Sequence, residues 1–242
     1  DGIRDVERSR GLGDVYKRQN KYDVIVVGAG HAGCEAALAS ARNKAKTMLI
    51  SINMDTVAMM PFGNELGGLK KYPLMEEIDF VGGEMPENAR RNYINIQIEK
   101  SPRHPATRQL KILVDRRRYS LSMKKVLEDQ DNLDLRQGLA VDVYREGNIF
   151  NLQTSDGIVY SSDCIIFCCG TFLGAKIYWG EYKIEAGRQG EVCSRSLLSS
   201  LNKLGFRFGL IRKISAPIVD KKTCLLYTSD AADELDGVDL GG

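Results

Sequence analysis

The chain has 242 residues, 43% hydrophobic and 27% charged, which is the composition of a soluble globular protein with a buried core. A net charge of +2 is too small to name a partner, so any electrostatic argument rests on local clusters. No apolar run approaches the roughly 20 residues that span a bilayer, and no N-terminal stretch resembles a signal peptide. A cytoplasmic protein with no membrane role is therefore expected.

Both ends are expected to stand outside the fold. One codon choice for Asp14-Val15-Tyr16-Lys17-Arg18-Gln19 has a reverse complement that encodes Cys224-Leu225-Leu226-Tyr227-Thr228. The two ends thus read as opposite translations of one DNA sequence, resembling a transposase-end adapter from sequencing-library preparation. Residues 1–19 and 224–242 are set aside on that ground, and the segment between reads as a gene fragment.

Within that segment, Tyr22 to Val27 is a short apolar run ending at glycine, the pattern of a buried parallel strand. His31 to Lys44 is alanine-rich and predicts a helix whose small residues Ala32, Ala36, Ala39 and Ala41 sit close on a sheet. Lys46 to Ser51 returns as a second strand, closing a β-α-β unit. Residues 55–83 read as loop with a short helix over 74–81. A long helix is predicted from Ala106 to Gln130, with Leu110, Val114, Leu121 and Leu127 near one face. Runs at 133–137, 139–145, 149–154 and 158–162 alternate polar and apolar residues between turn signals, predicting a β-meander. Cys164 to Cys169 reads as a further buried strand, and Ser194 to Leu204 as a helix closed by Gly205.

The expected fold class is α/β: a Rossmann-type FAD/NAD(P)-binding domain with an inserted small β-meander domain. Its first part covers 20–130 and includes the basic helix, the meander covers 131–163, and 164–223 return to the first domain. Six cysteines at 34, 164, 168, 169, 193 and 224, with no Cys-x-x-Cys pair and only two histidines, predict no metal site. Cys164, Cys168 and Cys169 are expected to be small buried hydrophobes in the strand.

Chemistry concentrates in Gly28-Ala29-Gly30-His31-Ala32-Gly33. Gly28 suits the tight turn leaving the strand, Gly30 leaves room for a pyrophosphate, and Gly33 lets the helix pack closely. A helix N-terminus there offers free amides and partial positive charge, worth about 0.3–1 kcal/mol and up to about 2 when partly buried. The position directly between strand and helix supports dinucleotide binding. An acid usually follows the second strand to hold the ribose hydroxyls; here the chain reads Ser51-Ile52-Asn53, leaving Ser51 or Asn53 as neutral substitutes and arguing against an ordinary NAD dehydrogenase.

From Tyr22 to about Asp220 the chain resembles the glucose-inhibited division protein A (MnmG) family. The resemblance is carried by Asp23 to Ala37 around the glycine loop, Asn53-x-Asp55-Thr56, Leu66-Gly67-Gly68 and Glu77-Ile78-Asp79-x-x-Gly82-Gly83. Pro105-Ala106, Asp115-Arg116-x-x-Tyr119, Gly170-Thr171-Phe172-Leu173, Gly187-Arg188-x-Gly190-Glu191 and Leu201-x-x-Leu204-Gly205-Phe206 continue it. It implies an FAD enzyme that modifies C5 of the tRNA wobble uridine, with a methylenefolate carbon donor, NADH as reductant, a GTPase partner subunit and homodimerisation. It further implies that flavin is held by the glycine loop and by the turn at Gly170 and Thr171. One departure bears on chemistry: Phe62 stands where the family has a cysteine implicated in catalysis, so no catalytic residue is assigned.

Between Lys100 and Lys125 nine basic residues face one acid, Asp115. Arg103, Arg108, Lys111, Arg116, Arg117 and Arg118 are the expected tRNA-facing cations, with Arg108 and Lys111 one helical turn apart; the alternative is the solvated face of an amphipathic helix.

Overall fold

The computed structural model describes residues 21–60, 63–68, 71–100, 108–188 and 190–211. Both end segments, Phe62 and Arg103 lie outside the described residues.

The apolar run at the start forms β1 (Lys21–Val27), the alanine-rich segment α1 (His31–Arg42), and the return strand β2 (Thr47–Ser51). After a 3-10 turn at Met54–Thr56 come β3 (Glu65–Gly67), α2 (Tyr72–Phe80), α3 (Glu84–Arg91), β4 (Tyr93–Lys100), β5 (Arg108–Val114) and α4 (Arg116–Glu128). Then follow β6 (Leu133–Gln137), β7 (Ala140–Glu146), β8 (Ile149–Thr154), β9 (Val159–Phe167), β10 (Ile177–Trp179), β11 (Tyr182–Ile184) and α5 (Arg195–Lys203). Residues 207–211, the described part of a second unit that begins at Arg207, carry no helix or strand.

The main sheet has six strands in the order β6-β2-β1-β9-β8-β7. β6, β2, β1 and β9 are parallel, and β8 and β7 continue antiparallel. Alternation along β1 and β2 divides the interior in two. Val26 and Leu49 meet α1 and α4 through Cys34, Ala37, Leu38, Tyr119, Met123 and Leu127. Ile25, Val27, Met48 and Ile50 meet Val143, Leu152, Leu197 and Leu201 on the other face. Among the described residues no helix is long and apolar enough to cross a membrane.

The structure corrects several sequence expectations. The segment 106–130 is not one helix: 108–114 is a strand, and the helix begins only at Arg116, where Asp115 accepts hydrogen bonds from the amides of Arg117 and Arg118 at 3.0 Å each. Leu110 and Val114 fit the helical reading because a spacing of four returns to the same face in a strand as well. The buried stripe of α4 is Tyr119, Met123 and Leu127, while Leu121 is exposed. The runs at 133–162 do not form a separate meander domain, since all of them pair into the main sheet. What interrupts the β-α-β order instead is the antiparallel sheet β3-β5-β4, inserted between β2 and α4.

On α1, Ala32 and Ala39 face solvent, and Cys34, Ala37, Leu38 and Ala41 contact the sheet. The last expected strand begins earlier, at Val159, and ends at Phe167; Cys164 is exposed, and Cys168 and Cys169 are half-buried in the turn beyond it.

Candidate functional site

The C-terminal ends of the parallel strands converge on one cleft, the usual place for a ligand in an open α/β sheet. Gly28 extends the ladder, its amide bonding the Ile50 carbonyl at 2.8 Å, while the Cys168 amide bonds the Val27 carbonyl at 2.8 Å. Gly28 has φ +106, and a Cβ there would lie 2.4 Å from the Cys168 carbonyl oxygen. At Gly33 a Cβ would lie 1.7 Å from the Gly28 carbonyl oxygen, so helix and turn touch backbone to backbone. Gly30 is different: its missing side chain faces open space.

Gly30 is also the N-cap of α1, and no side chain caps that helix. Its first amides, from His31, Ala32 and Gly33, have no partner within the helix and remain for a ligand. On α4 the equivalent groups are taken by Asp115. Of the two helix starts, only that of α1 offers free amides beside a glycine opening. These residues fit a pyrophosphate.

A cavity of about 240 Å³ occupies the cleft. Of the residues singled out by sequence, Gly28, Ala29, Gly30, Ser51, Asn53, Gly170 and Thr171 line it; His31, Ala32 and Gly33 do not. Asn53 closes the 3-10 turn by accepting the Asp55 amide at 2.8 Å, so its Nδ2 is what remains to meet a ribose. Ala58, at φ +46, donates its amide to the Ala29 carbonyl at 2.9 Å and holds the far side of the loop.

The motif Gly187-Arg188-x-Gly190-Glu191, which carries no local sign of a role, supplies a wall of the cleft. Arg188 pairs with Glu191 at 2.5 Å, stands over the Phe172 ring at 5.5 Å and reaches the Met59 sulfur at 3.2 Å. A Cβ on Gly187 would lie 2.3 Å from Phe172 Cδ1, so the glycine admits the ring. Phe172 and Gly187, 15 positions apart, make the two motifs halves of one contact. Thr56, Gly138, Leu139 and Ser194 also line the cavity, and no local pattern marked them.

His31 is half-buried behind the loop, with its Nε2 buried and unpartnered among the described residues and its ring 5.6 Å from that of Tyr119, whose hydroxyl is likewise buried without a partner there. Burial lowers the His31 pKa from its ordinary value of 6.5 and raises that of Tyr119. For His31 the neutral form is favoured on folding, so stability is full above about pH 6.5 and is lost as pH falls below it, when the unfolded chain binds the extra proton. The chain is therefore expected to lose more thermal stability between pH 7.5 and 5.5 than His31→Gln does. Equal losses in the two melts would remove the assignment.

Three of the nine cations of the basic stretch are paired by acids from outside its own window. Lys111 pairs with Glu65 at 2.8 Å and Glu99 at 3.8 Å, Lys124 with Asp55 at 3.0 Å and Lys125 with Asp129 at 3.0 Å. Arg118 lies 3.7 Å from Asp115. The expected helical pairing of Arg108 with Lys111 is overturned, since both sit in strand β5. Arg116 and Arg117 are exposed and carry no ion pair among the described residues. They line a second, more open depression of about 900 Å³ that shares Thr56 and Met59 with the cleft.

A parallel βαβ unit, a glycine turn and a cleft at the strand ends define a mixed α/β protein with a Rossmann-like binding domain. The model of the family described as glucose inhibited division protein A matches residues 23–233, and the chain belongs to this family. The match runs past residue 223, the adapter boundary expected from the sequence. The tRNA uridine 5-carboxymethylaminomethyl modification enzyme MnmG of Synechocystis sp. is 39% identical over 207 residues, 85% of this chain and 33% of the relative. That of Caldicellulosiruptor saccharolyticus is 42% identical over 186 residues, 76% of this chain and 30% of the relative. Aquifex aeolicus GidA superposes with a TM-score of 0.73 at 35% identity, covering 78% of this chain and 31% of that one. The GidA-related protein of Thermus thermophilus gives 0.55 at 28% identity, covering 78% and 70%. The chain thus spans about a third of the length of the curated relatives it matches.

Proposed function

We propose that this chain is the FAD-binding part of a flavoprotein whose parent modifies the wobble uridine of tRNA at C5. The observation that carries the reading is the open cradle at Gly30 beside the uncapped start of α1 in a member of this family. In this reading the amides of His31, Ala32 and Gly33 hold the pyrophosphate, and Ser51 and Asn53 face the ribose. Gly170, Thr171 and the Phe172–Arg188 wall bound the remainder of the cofactor. Bound FAD would supply two-electron redox chemistry, and the chain's own contribution is to hold and orient it. NADH as reductant, a GTPase partner and a tRNA surface that includes Arg116 and Arg117 belong to the same proposal for the parent.

A second reading, an FAD oxidoreductase acting on a small molecule, is favoured by one residue, Phe62 in place of the family's cysteine. Salt-sensitive tRNA binding by the full-length parent supports the first reading, and its absence supports the second.

The cofactor assignment is tested by titrating the chain with FAD and following quenching of flavin fluorescence. Saturable binding is expected, and Gly30→Val should weaken it at least about 100-fold, since a branched side chain would occupy the pyrophosphate position. The melting temperature without FAD should fall by no more than about 4 °C, the ordinary cost of losing a favoured N-cap residue, because a Cβ at this position meets no protein atom within 4 Å. Unaltered binding by the variant would overturn the placement.

A further inference from the structure

We propose that His31, steadied by the Tyr119 hydroxyl, takes up a proton when a pyrophosphate seats on the start of α1, so that dinucleotide affinity tightens as pH falls. This rests on the dinucleotide reading and adds to it a coupling that the glycine cradle by itself does not have. His31 is the first residue of α1, so its backbone amide belongs to the cradle while its ring lies behind the loop. That ring is set 5.6 Å from the ring of Tyr119 at 32°. Each carries a buried polar atom without a partner among the described residues, Nε2 on one and the hydroxyl on the other, and Tyr119 is fully buried. Such an orphan is unusual in a folded protein, because it gives up its hydrogen bond to water and gains none in return. A phenol hydroxyl can donate to a neutral imidazole and accept from a charged one, so Tyr119 is equipped to steady His31 in either state.

Nearby charge decides which state is held. The titratable groups about the pair are Cys34 and Glu35 on α1, Glu84 on α3, Cys168 in the turn after β9 and, at the exposed start of α4, Arg116 and Arg117. Both thiols are neutral, since burial pushes Cys34 up to about 12 and also raises Cys168. The Glu35 carboxylate is engaged by the amides of Glu84 and Met85, and Glu84 by Arg42 and Arg91. Asp55, on the turn beyond the loop, is paired with Lys124. The two arginines disfavour a further positive charge. Among the described residues no carboxylate is thus left to hold an imidazolium, and burial keeps the ring neutral. A pyrophosphate on the amides of residues 31–33 brings negative charge to the very residue that carries the ring, and an opposite charge that close favours the protonated form. His31 then has a higher pKa in the bound chain than in the free one, and binding takes up a proton. Affinity is flat at alkaline pH and rises as pH falls through the bound value.

His104→Gln leaves His31 as the sole histidine. Its ring Cε1–H signal is then followed by NMR from about pH 8 to about pH 5, with and without FAD. With FAD the midpoint should rise by about 1; an unmoved or lowered midpoint overturns the proposal. Fluorescence titration of the unsubstituted chain should show FAD bound roughly threefold tighter at about pH 5.5 than at about pH 7.5, a range over which the pyrophosphate stays ionised. His31→Gln should bring that ratio to about 1, and a ratio retained by this variant overturns the assignment to His31. Tyr119→Phe in the His104→Gln chain keeps the ring and removes the hydroxyl, so the rise seen by NMR should shrink to less than about half. A full rise there would remove Tyr119 from the coupling. FAD that binds at neither pH removes the dinucleotide reading and the coupling with it, whereas one affinity at both removes the coupling alone.

Discussion

Replacing Gly33 by alanine is expected to destabilise the chain by about 3 kcal/mol or more, lowering the melting temperature by roughly 6–12 °C. The new Cβ would lie 1.7 Å from the carbonyl oxygen of Gly28 and 3.4 Å from Cys168 Cβ. Backbone oxygen cannot turn aside as the end of a flexible side chain can, so α1 must move away from β1. That motion opens the contact of Cys34, Ala37, Leu38 and Ala41 with the sheet. FAD binding should fall together with stability, whereas Gly30→Val separates the two. A thermal melt of Gly33→Ala within about 2 °C of the parent chain would mean that helix and turn are not in this contact.

Glu35→Ala is expected to cost about 3 kcal/mol, through the loss of two charge-assisted hydrogen bonds at the start of α3. The Glu35 carboxylate accepts the amides of Glu84 at 3.0 Å and Met85 at 2.5 Å, doing for α3 from another helix what a capping side chain does locally. Gly83 is part of the same joint, since a Cβ there would lie 2.9 Å from Glu35 Oε2 and 2.4 Å from Ile78 Cγ2. Nearby, buried Glu84 pairs with Arg42 at 2.5 Å and with Arg91, tying α1 to α3 a second time. Hydrogen exchange is the discriminating measurement. Protection of the Glu84 and Met85 amides should fall far more than that of the β1 and β2 amides. A uniform loss across the chain would point to a general packing defect instead.

Much of the site was legible because its signals are local. A glycine at φ +106, a second facing open space and a third in backbone contact fall within six residues, and their roles follow from the absence of a Cβ. The limits of β1, β2 and α1 followed from apolar runs and alanine content for the same reason. The break between β5 and α4 had a local signal too, in Asp115 as a capping residue, but the four-residue spacing of Leu110 and Val114 fits both periods and concealed it. The basic stretch misled for a different reason: the acids that neutralise Lys111 and Lys124 are 46, 12 and 69 positions away, at Glu65, Glu99 and Asp55.

The sequence by itself determined the glycine turn, the β-α-β start and the family, because each rests on residues adjacent in the chain or on an ordered series of motifs. Tertiary structure alone decided which sheet the strands of 133–162 join, since alternation reports one buried face and is silent on the neighbouring strand. It also decided that Glu35 belongs to Gly83, that Phe172 belongs to Gly187, and that Arg116 and Arg117 are left without an ion pair among the described residues. Each of these depends on where distant segments meet, and hydrogen bonds and ion pairs act over a few ångströms whatever the separation along the chain.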